Sequence, residues 1–499
     1  MRRLLAIDAG TTGVTALVID ERGRLHARGY QQFPQHFPQP GWVEHDPEQI
    51  WQATLAACDQ ALQGTDLPAG QLAGMGITNQ RETTVLWRRD SLRPVHNAIV
   101  WQDRRTADAC EALRDAGHAE MIRQRTGLVV DPYFSGTKLA WLLDHVEGAR
   151  DAAQRGELAF GTVDSWLIAR LTAGRVHITE PSNASRTMLF DLRERTWSEE
   201  LCALLDVPSA VLPELRPTAG ELATTEPEVF FDAAVPVTAA AGDQQAALFG
   251  HGCWEPGSAK NTYGTGSFVL LNTGSDAPAS ERLVTTIAWD LGDVGGGAAY
   301  ALEGSIFVTG AALQWLREGL GLIAEAEEAG ALAGLVDDTG DVFLVPAFTG
   351  LGAPHWDPRA RGTIVGLTRG TTRSQLVRAA VEAMAYQTRD VVDAMRADSD
   401  LDPRELRVDG GAAAMDLLCQ LQAALLRLPV LRPAVAETTG MGAGYLAGLG
   451  AGLWGSTGEL AELWELDRRF EPAMAAGEAD ARQARWRQAL ERSRGWAAR

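Results

Sequence analysis

Two short segments half a chain apart share one pattern, and they constrain the fold more than any other feature. Leu4-Leu5-Ala6-Ile7-Asp8-Ala9-Gly10-Thr11-Thr12-Gly13 and Ala259-Lys260-Asn261-Thr262-Tyr263-Gly264-Thr265-Gly266-Ser267-Phe268 each set a Gly-Thr turn between β-prone runs. That is the mark of a hairpin with an exposed backbone corner. Glycine lets the chain turn sharply and brings N–H groups close to a ligand, and threonine adds hydroxyl donors. Such corners suit phosphate oxygens, and two of them suggest a polyphosphate gripped from both sides. Asp8, closing the first strand, is placed to hold a hydrated Mg²⁺. A plain hairpin uses the same residues, so the turns alone leave a purely structural reading open.

The chain has 499 residues, more than one core normally supports, so two or three domains are expected. A boundary near residue 250, after the Asp243 cluster and before the second hairpin, divides it into 1–250 and 251–499. The net charge of −20 opposes a polyanionic backbone and argues against nucleic acid as a partner. Five scattered cysteines without CxxC spacing read as reduced core thiols and give no zinc motif. No apolar run reaches signal-peptide or membrane-spanning length. These features imply a cytoplasmic protein with no membrane insertion, and they leave assembly into a homo-oligomer open.

Strands and helices alternate, which predicts an α/β architecture. Val14–Asp20, Leu25–Tyr30, Leu72–Thr78, Val235–Ala240 and Leu406–Val408 read as strands. Asp46-Pro47-Glu48 starts a helix with a capping acid and a proline in the first turn, and Ile50, Trp51, Leu55, Cys58 and Leu62 line its apolar side. A second helix is expected over Ala412–Leu426. The arginine-rich tail from Glu459 reads as a surface helical segment. Polar clusters recur at strand ends: Asn79-Gln80-Arg81-Glu82, Gly242-Asp243-Gln244-Gln245 and Asp409-Gly410-Gly411. In open α/β sheets, ligands collect at such ends.

Asp243, after a buried-type strand and a glycine, is the candidate general base; capping the following helix is the structural alternative. Arg81 and Glu82 offer opposite hydrogen-bonding character suited to a small polyol, or else form an exposed ion pair. Trp101, Tyr133 and Phe268 are candidates for the walls of such a pocket, or for core.

At these residues the chain resembles the FGGY carbohydrate kinases. One signature is met by Tyr133-Phe134-Ser135-Gly136-Thr137-Lys138-Leu139-Ala140-Trp141-Leu142, and a second runs from Gly362 through Gln375-Leu376 to Glu382. Gly41-Trp42-Val43-Glu44-His45-Asp46-Pro47, Gly76 to Thr84, Ser182 to Phe190, Ala241 to Gln245 and Phe348 to Pro354 are similar to the members that phosphorylate glycerol. The resemblance implies two actin-like (ribonuclease-H-like) domains with glycerol and Mg²⁺–ATP in the cleft between them. By motif position, Arg81, Glu82, Tyr133, Asp243 and Gln244 would hydrogen-bond glycerol, and Trp101 and Phe268 would pack its carbons. Thr11, Thr12, Gly13 and Thr265 would face the phosphates, and Gly310, Gln314 and Gly411 would line the nucleotide site. Asp8 would hold Mg²⁺ through water, with Asp243 helping to organise its water shell.

The chain departs from that branch where Gly13 and Thr15 replace a serine and an arginine, and where Met415 and Asp416 stand near an asparagine position. Gly13→Ser is therefore expected to restore a phosphate donor. Other readings are a family member acting on a pentulose or tetritol, an actin-like ATP-dependent assembly protein, or a weak regulatory relative. The aromatic wall favours a short substrate, the Arg81-Glu82 and Asp243-Gln244 blocks disfavour an assembly protein, and intact Asp8 and Asp243 disfavour a weak relative.

Overall fold

In the computed structural model, which describes residues 2–497, one strand order is built twice. The first sheet contains β1 (Arg3–Ala9), β2 (Gly13–Asp20), β3 (Leu25–Gln32), β4 (Leu72–Asn79), β5 (Ala219–Thr224) and β6 (Pro236–Gly242), in the order β5-β6-β4-β1-β2-β3. The second contains β7 (Ala259–Tyr263), β8 (Ser267–Gly274), β9 (Val284–Asp290), β10 (Ala298–Ile306), β11 (Leu406–Asp409), β12 (Val430–Pro433) and β13 (Leu466–Phe470), in the order β9-β10-β8-β7-β11-β12-β13. Each sheet has an antiparallel hairpin, two strands parallel to its first strand, and an antiparallel edge strand. The chain thus forms two actin-like α/β units, and both predicted hairpins form. All eight residues of β2 are buried, and its apolar stretch Ala16–Ile19 suits a strand covered on both faces.

Helix α1 (Pro47–Gln63) starts where its sequence says. Asp46 Oδ1 accepts the Glu48 N–H at 2.9 Å, and Pro47 occupies the first turn. Two further helices fill the space between the sheets: α2 (Asp243–Gly250) and, from the far end of the chain, α5 (Thr438–Gly450). Their core joins Leu4 and Leu17 of the first sheet to Leu270 and Ala301 of the second, with Phe249 and Met441 between them. Glycine makes this approach possible. A Cβ on Gly442 would stand 1.8 Å from the Ala246 carbonyl oxygen, and one on Gly76 would stand 2.2 Å from that of Ala443.

Two expectations are corrected. The helix expected over Ala412–Leu426 is a short 3₁₀ turn (Gly411–Ala414) followed by α4 (Asp416–Leu426), broken where Met415 takes an extended backbone. The tail is no simple surface helix either. It supplies the edge strand β13 and then α6 (Ala476–Ser493), whose Trp486 is fully buried, stacks on Tyr386 at 5.4 Å and donates to Asp390 Oδ2 at 2.7 Å. The apolar residues Trp486, Ala489 and Leu490 interrupt its otherwise charged sequence and pack into the core of the second unit. All five cysteines are buried and free. Among the described residues, no helix is long and apolar enough to cross a membrane.

Candidate active site

Because β1, β4 and β6 run parallel, their carboxyl ends deliver Asp8, the Arg81 cluster and Asp243 to one edge of the first sheet. Asp243 opens α2. Its Oδ1 accepts the N–H of Gln244 at 2.7 Å and stands 3.1 Å from Arg81 Nε. Gly242, not Asp243, occupies the N-cap position, and the Asp243 side chain keeps 26% of its surface exposed. Burial lifts the Asp243 pKa above the usual carboxylate value, against the pull of Arg81. That shift makes a better proton acceptor near neutral pH.

Arg81 is almost completely buried and is held from the second half of the chain: its Nη1 donates to Glu303 Oε2 at 2.5 Å and its Nη2 to Oε1 at 3.2 Å. Arg81 Nη1 also reaches Gln245 Oε1 at 3.3 Å, and Nη2 the Tyr133 hydroxyl at 3.4 Å. Glu82 follows with φ at +58°, a left-handed backbone that costs a side-chain-bearing residue roughly 1–3 kcal/mol. That turn brings Glu82 into the same network, where Arg186 Nε donates to its Oε1 at 2.6 Å and Arg186 Nη2 to Glu303 Oε1 at 2.9 Å. The surface ion pair considered for Arg81 and Glu82 is therefore not what forms.

Arg186, Glu303 and Lys260 join the site although none of them stands out among the candidate residues of the sequence. Arg186 and Lys260 sit inside recognised segments. Glu303 carried its own signal: a lone acid inside the apolar run Ala298–Ile306, which only a buried partner accommodates. The two arginines hold the Glu303 carboxyl at about 2, although burial alone would raise it.

Trp101, Tyr133 and Phe268 do come together. Trp101 packs edge-on to Tyr133 at 5.7 Å and to Phe268 at 6.3 Å, and the Arg81 guanidinium lies 5.7 Å from the Phe268 ring centre. The wall touches the first corner, since Trp101 Nε1 donates to Thr11 Oγ1 at 3.0 Å. Thr12 is exposed beside it, and the Gly10 carbonyl accepts from Gln80 Nε2 at 3.0 Å.

Gly13 corrects an expectation. A Cβ there would stand 2.7 Å from the Gln31 carbonyl oxygen and 2.8 Å from the Tyr30 hydroxyl. The side chain would point into β3, so serine at this position crowds the sheet instead of offering a simple extra donor.

The second corner leaves Thr265 exposed and rests on α3 (Gly310–Glu318). Thr309 and Ala311 N–H groups donate to the Thr265 carbonyl at 2.9 and 3.0 Å, and Gly310 N–H donates to that of Gly264 at 3.1 Å. A Cβ on Gly310 would lie 2.5 Å from the Gly264 oxygen, which explains the glycine. Gln314 is exposed on α3 and engaged with Glu318 at 3.1 Å. Gly411 is exposed, with open space where its side chain would be. Of the two departures near it, Asp416 is tied to Arg432 and Arg468 at 3.0 and 2.5 Å.

Asp8 is half-buried on β1, and burial together with the Asp243 and Glu437 charges pushes its pKa up to about 8. Among the described residues, no group of three or more His, Cys, Asp or Glu forms a metal cage. Mg²⁺ in phosphoryl-transfer sites uses one or two carboxylates, with water and phosphate oxygens completing the shell. The carboxylate oxygens of Asp8 and Asp243 fit that ion, and the Asp8 carboxylate, pressed by the Asp243 and Glu437 charges, is the one that a cation would relieve.

The model of the FGGY carbohydrate kinase N-terminal domain matches residues 3–250, and that of the C-terminal domain matches residues 259–451. The chain belongs to the FGGY family of carbohydrate kinases. It is 57% identical to the glycerol kinase of Aromatoleum aromaticum over the full length of both chains. It is 56% identical to that of Dechloromonas aromatica, covering 99% of this chain and 98% of the relative. The crystal structure of Plasmodium falciparum glycerol kinase with ADP superposes with a TM-score of 0.91 at 32% identity, covering 99% of this chain and 98% of that one.

Proposed function

We propose that this protein transfers the γ-phosphoryl group of ATP to a terminal hydroxyl of glycerol, giving sn-glycerol 3-phosphate and ADP. The observation that carries the reading is the convergence of the Asp243 carboxylate, the anchored Arg81 and the aromatic wall between two phosphate-type corners. The glycerol kinase relatives point to the same substrate. In this reading residues 1–250 and 251–499 are the two halves that close on the substrates, and the five free buried cysteines suit a cytoplasmic enzyme.

Arg81, Glu82, Tyr133, Asp243 and Gln244 bind the three hydroxyls, and Trp101 and Phe268 cover the carbon skeleton. Thr11, Thr12, the Gly13 N–H and Thr265 hold phosphate oxygens, and Gly310, Gln314 and Gly411 line the nucleoside. Asp243 accepts the hydroxyl proton as the hydroxyl oxygen bonds to the γ-phosphorus and the bond to the β–γ bridging oxygen breaks. ADP leaves, and no phosphoenzyme is needed. Asp8 and Asp243 would hold Mg²⁺ through water, which supplies charge neutralisation for the transferring group. Positioning provides most of the remaining rate, and closure of the halves excludes water.

Pocket length is the sharpest test of the substrate. Phe268 both ends the wall and lies under the Arg81 guanidinium, so Phe268→Ala removes a boundary and loosens the glycerol-binding arginine. The preference for glycerol over erythritol is expected to fall by about 10- to 200-fold, the worth of such a pocket contact. The kcat/KM ratio for the two polyols, before and after substitution, measures it. An unchanged ratio removes Phe268 from the pocket, and a parental preference for erythritol overturns glycerol as substrate.

A further inference from the structure

Lys260 lies on β7 with its side chain fully buried, where an ammonium group persists only if hydrogen-bonded and charge-compensated. Its Nζ donates to Gln244 Oε1 at 2.5 Å and to Thr262 Oγ1 at 2.8 Å. Asp409, Asp243 and Glu303 surround it electrostatically, and Arg81 opposes it. The contact crosses the molecule: Gln244 belongs to α2 beside the candidate base, and Lys260 to the second sheet. The other end of α2 is held from the second sheet too, where His251 Nε2 stands 3.3 Å from Asp409 Oδ1 and Asp409 Oδ2 accepts from the Thr438 hydroxyl.

An ammonium group has donors and no acceptor. It therefore admits one orientation of the Gln244 amide, with Oε1 turned to Lys260 and Nε2 turned away. Neighbouring Gln245 shows the contrast. Its Oε1 accepts from Arg81, and its Nε2 donates to Thr286 Oγ1 at 3.3 Å and the Ile287 carbonyl at 3.1 Å, so both ends are spent inside the protein. Among the described residues, Gln244 Nε2 donates to no protein acceptor. We propose that Lys260 is a positioning residue that locks Gln244 as a pure hydrogen-bond donor to a hydroxyl oxygen of the polyol. The inference rests on the reading of Gln244 as a substrate ligand. It adds that the donor character of Gln244, and with it part of the substrate selection, is imposed from the opposite half of the molecule.

The test is a double-mutant cycle on the full chain with Mg²⁺–ATP, using Lys260→Met, Gln244→Ala and the pair. Each single change is expected to lower kcat/KM for glycerol by about 10- to 100-fold, chiefly through KM for glycerol, the range for losing a charge-assisted hydrogen bond. KM for ATP should stay within about twofold, a split that general loosening of the fold would not produce. The double variant should be no worse than Gln244→Ala alone, because the two residues act as one unit. Penalties that multiply, or a Lys260→Met effect that falls on KM for ATP, overturn the proposal. Should Lys260→Met fail to fold, Lys260→Gln, which keeps one donor for Gln244, goes through the same cycle. A penalty that vanishes in the Gln244→Ala background supports the lock, and one that persists there overturns it. Parental turnover is measured first: no activity with glycerol overturns the functional reading, whereas multiplying penalties in an active parent overturn only the role of Lys260.

Discussion

Asp243→Asn is expected to fold like the parent and to lose about 10²–10⁴-fold in kcat, the usual contribution of a positioned general base. The fold should tolerate the change because asparagine keeps an oxygen where Oδ1 accepts the Gln244 N–H and faces Arg81 Nε. The Gly242 N–H, at the start of the same helix, is held independently by Ser182 Oγ at 2.9 Å. What disappears is the proposed proton acceptor, together with one of the two carboxylates suited to Mg²⁺. Loss of the Asp243 charge also removes one of the pressures that raise the Asp8 pKa. Circular dichroism and the thermal midpoint check the fold, and steady-state ADP release checks the rate. Near-parental turnover in a folded variant would reduce Asp243 to a group at the start of a helix.

Glu303→Gln is expected to cost about 3–5 kcal/mol in stability, the typical penalty for leaving buried charges without their counter-ion. Glu303 is fully buried and is the shared acceptor of Arg81 and Arg186 across the two halves. A glutamine there leaves two guanidinium groups facing one neutral amide. The effect has a pH signature. The Glu303 pKa is lowered from 4.5 to about 2 in the folded protein. Its stabilisation is therefore complete above the unfolded value, begins to fade below about pH 4.5, and is gone once pH has passed below the folded value. Urea unfolding of parent and variant at pH 7 and pH 3.5 should show the stability gap shrinking toward acid, by about 1 kcal/mol or more. A gap that is absent at pH 7, or equal at both pH values, would contradict the assignment.

The local grammar of the chain carried much of this structure. The two hairpins, the capped start of α1 and the strand that delivers Asp243 form where turn residues, caps and apolar runs place them, each within a residue or two. These features depend on neighbours in sequence. What the sequence did not disclose depends on neighbours in space. The break at Met415 leaves no Pro or Gly signal inside Ala412–Leu426, and β13 is a charged edge strand whose pairing with β12 outweighs its composition. The Arg81–Glu303–Arg186 cluster and the Lys260–Gln244 contact join residues more than a dozen positions apart, several of them across the two halves. Gly13 is the clearest case, since the turn was legible but the crowding by β3 behind it was not.

The central claim is that two phosphate-type corners and the Asp243–Arg81 cleft act together on glycerol. Coupled ADP release with Mg²⁺–ATP tests it most directly, run with glycerol, erythritol, a pentulose and no added acceptor. The structure predicts that ADP appears with glycerol in step with sn-glycerol 3-phosphate, far faster than with water alone, and with a higher kcat/KM than for the longer substrates. ADP release indifferent to glycerol, or highest with the pentulose or the tetritol, would contradict it.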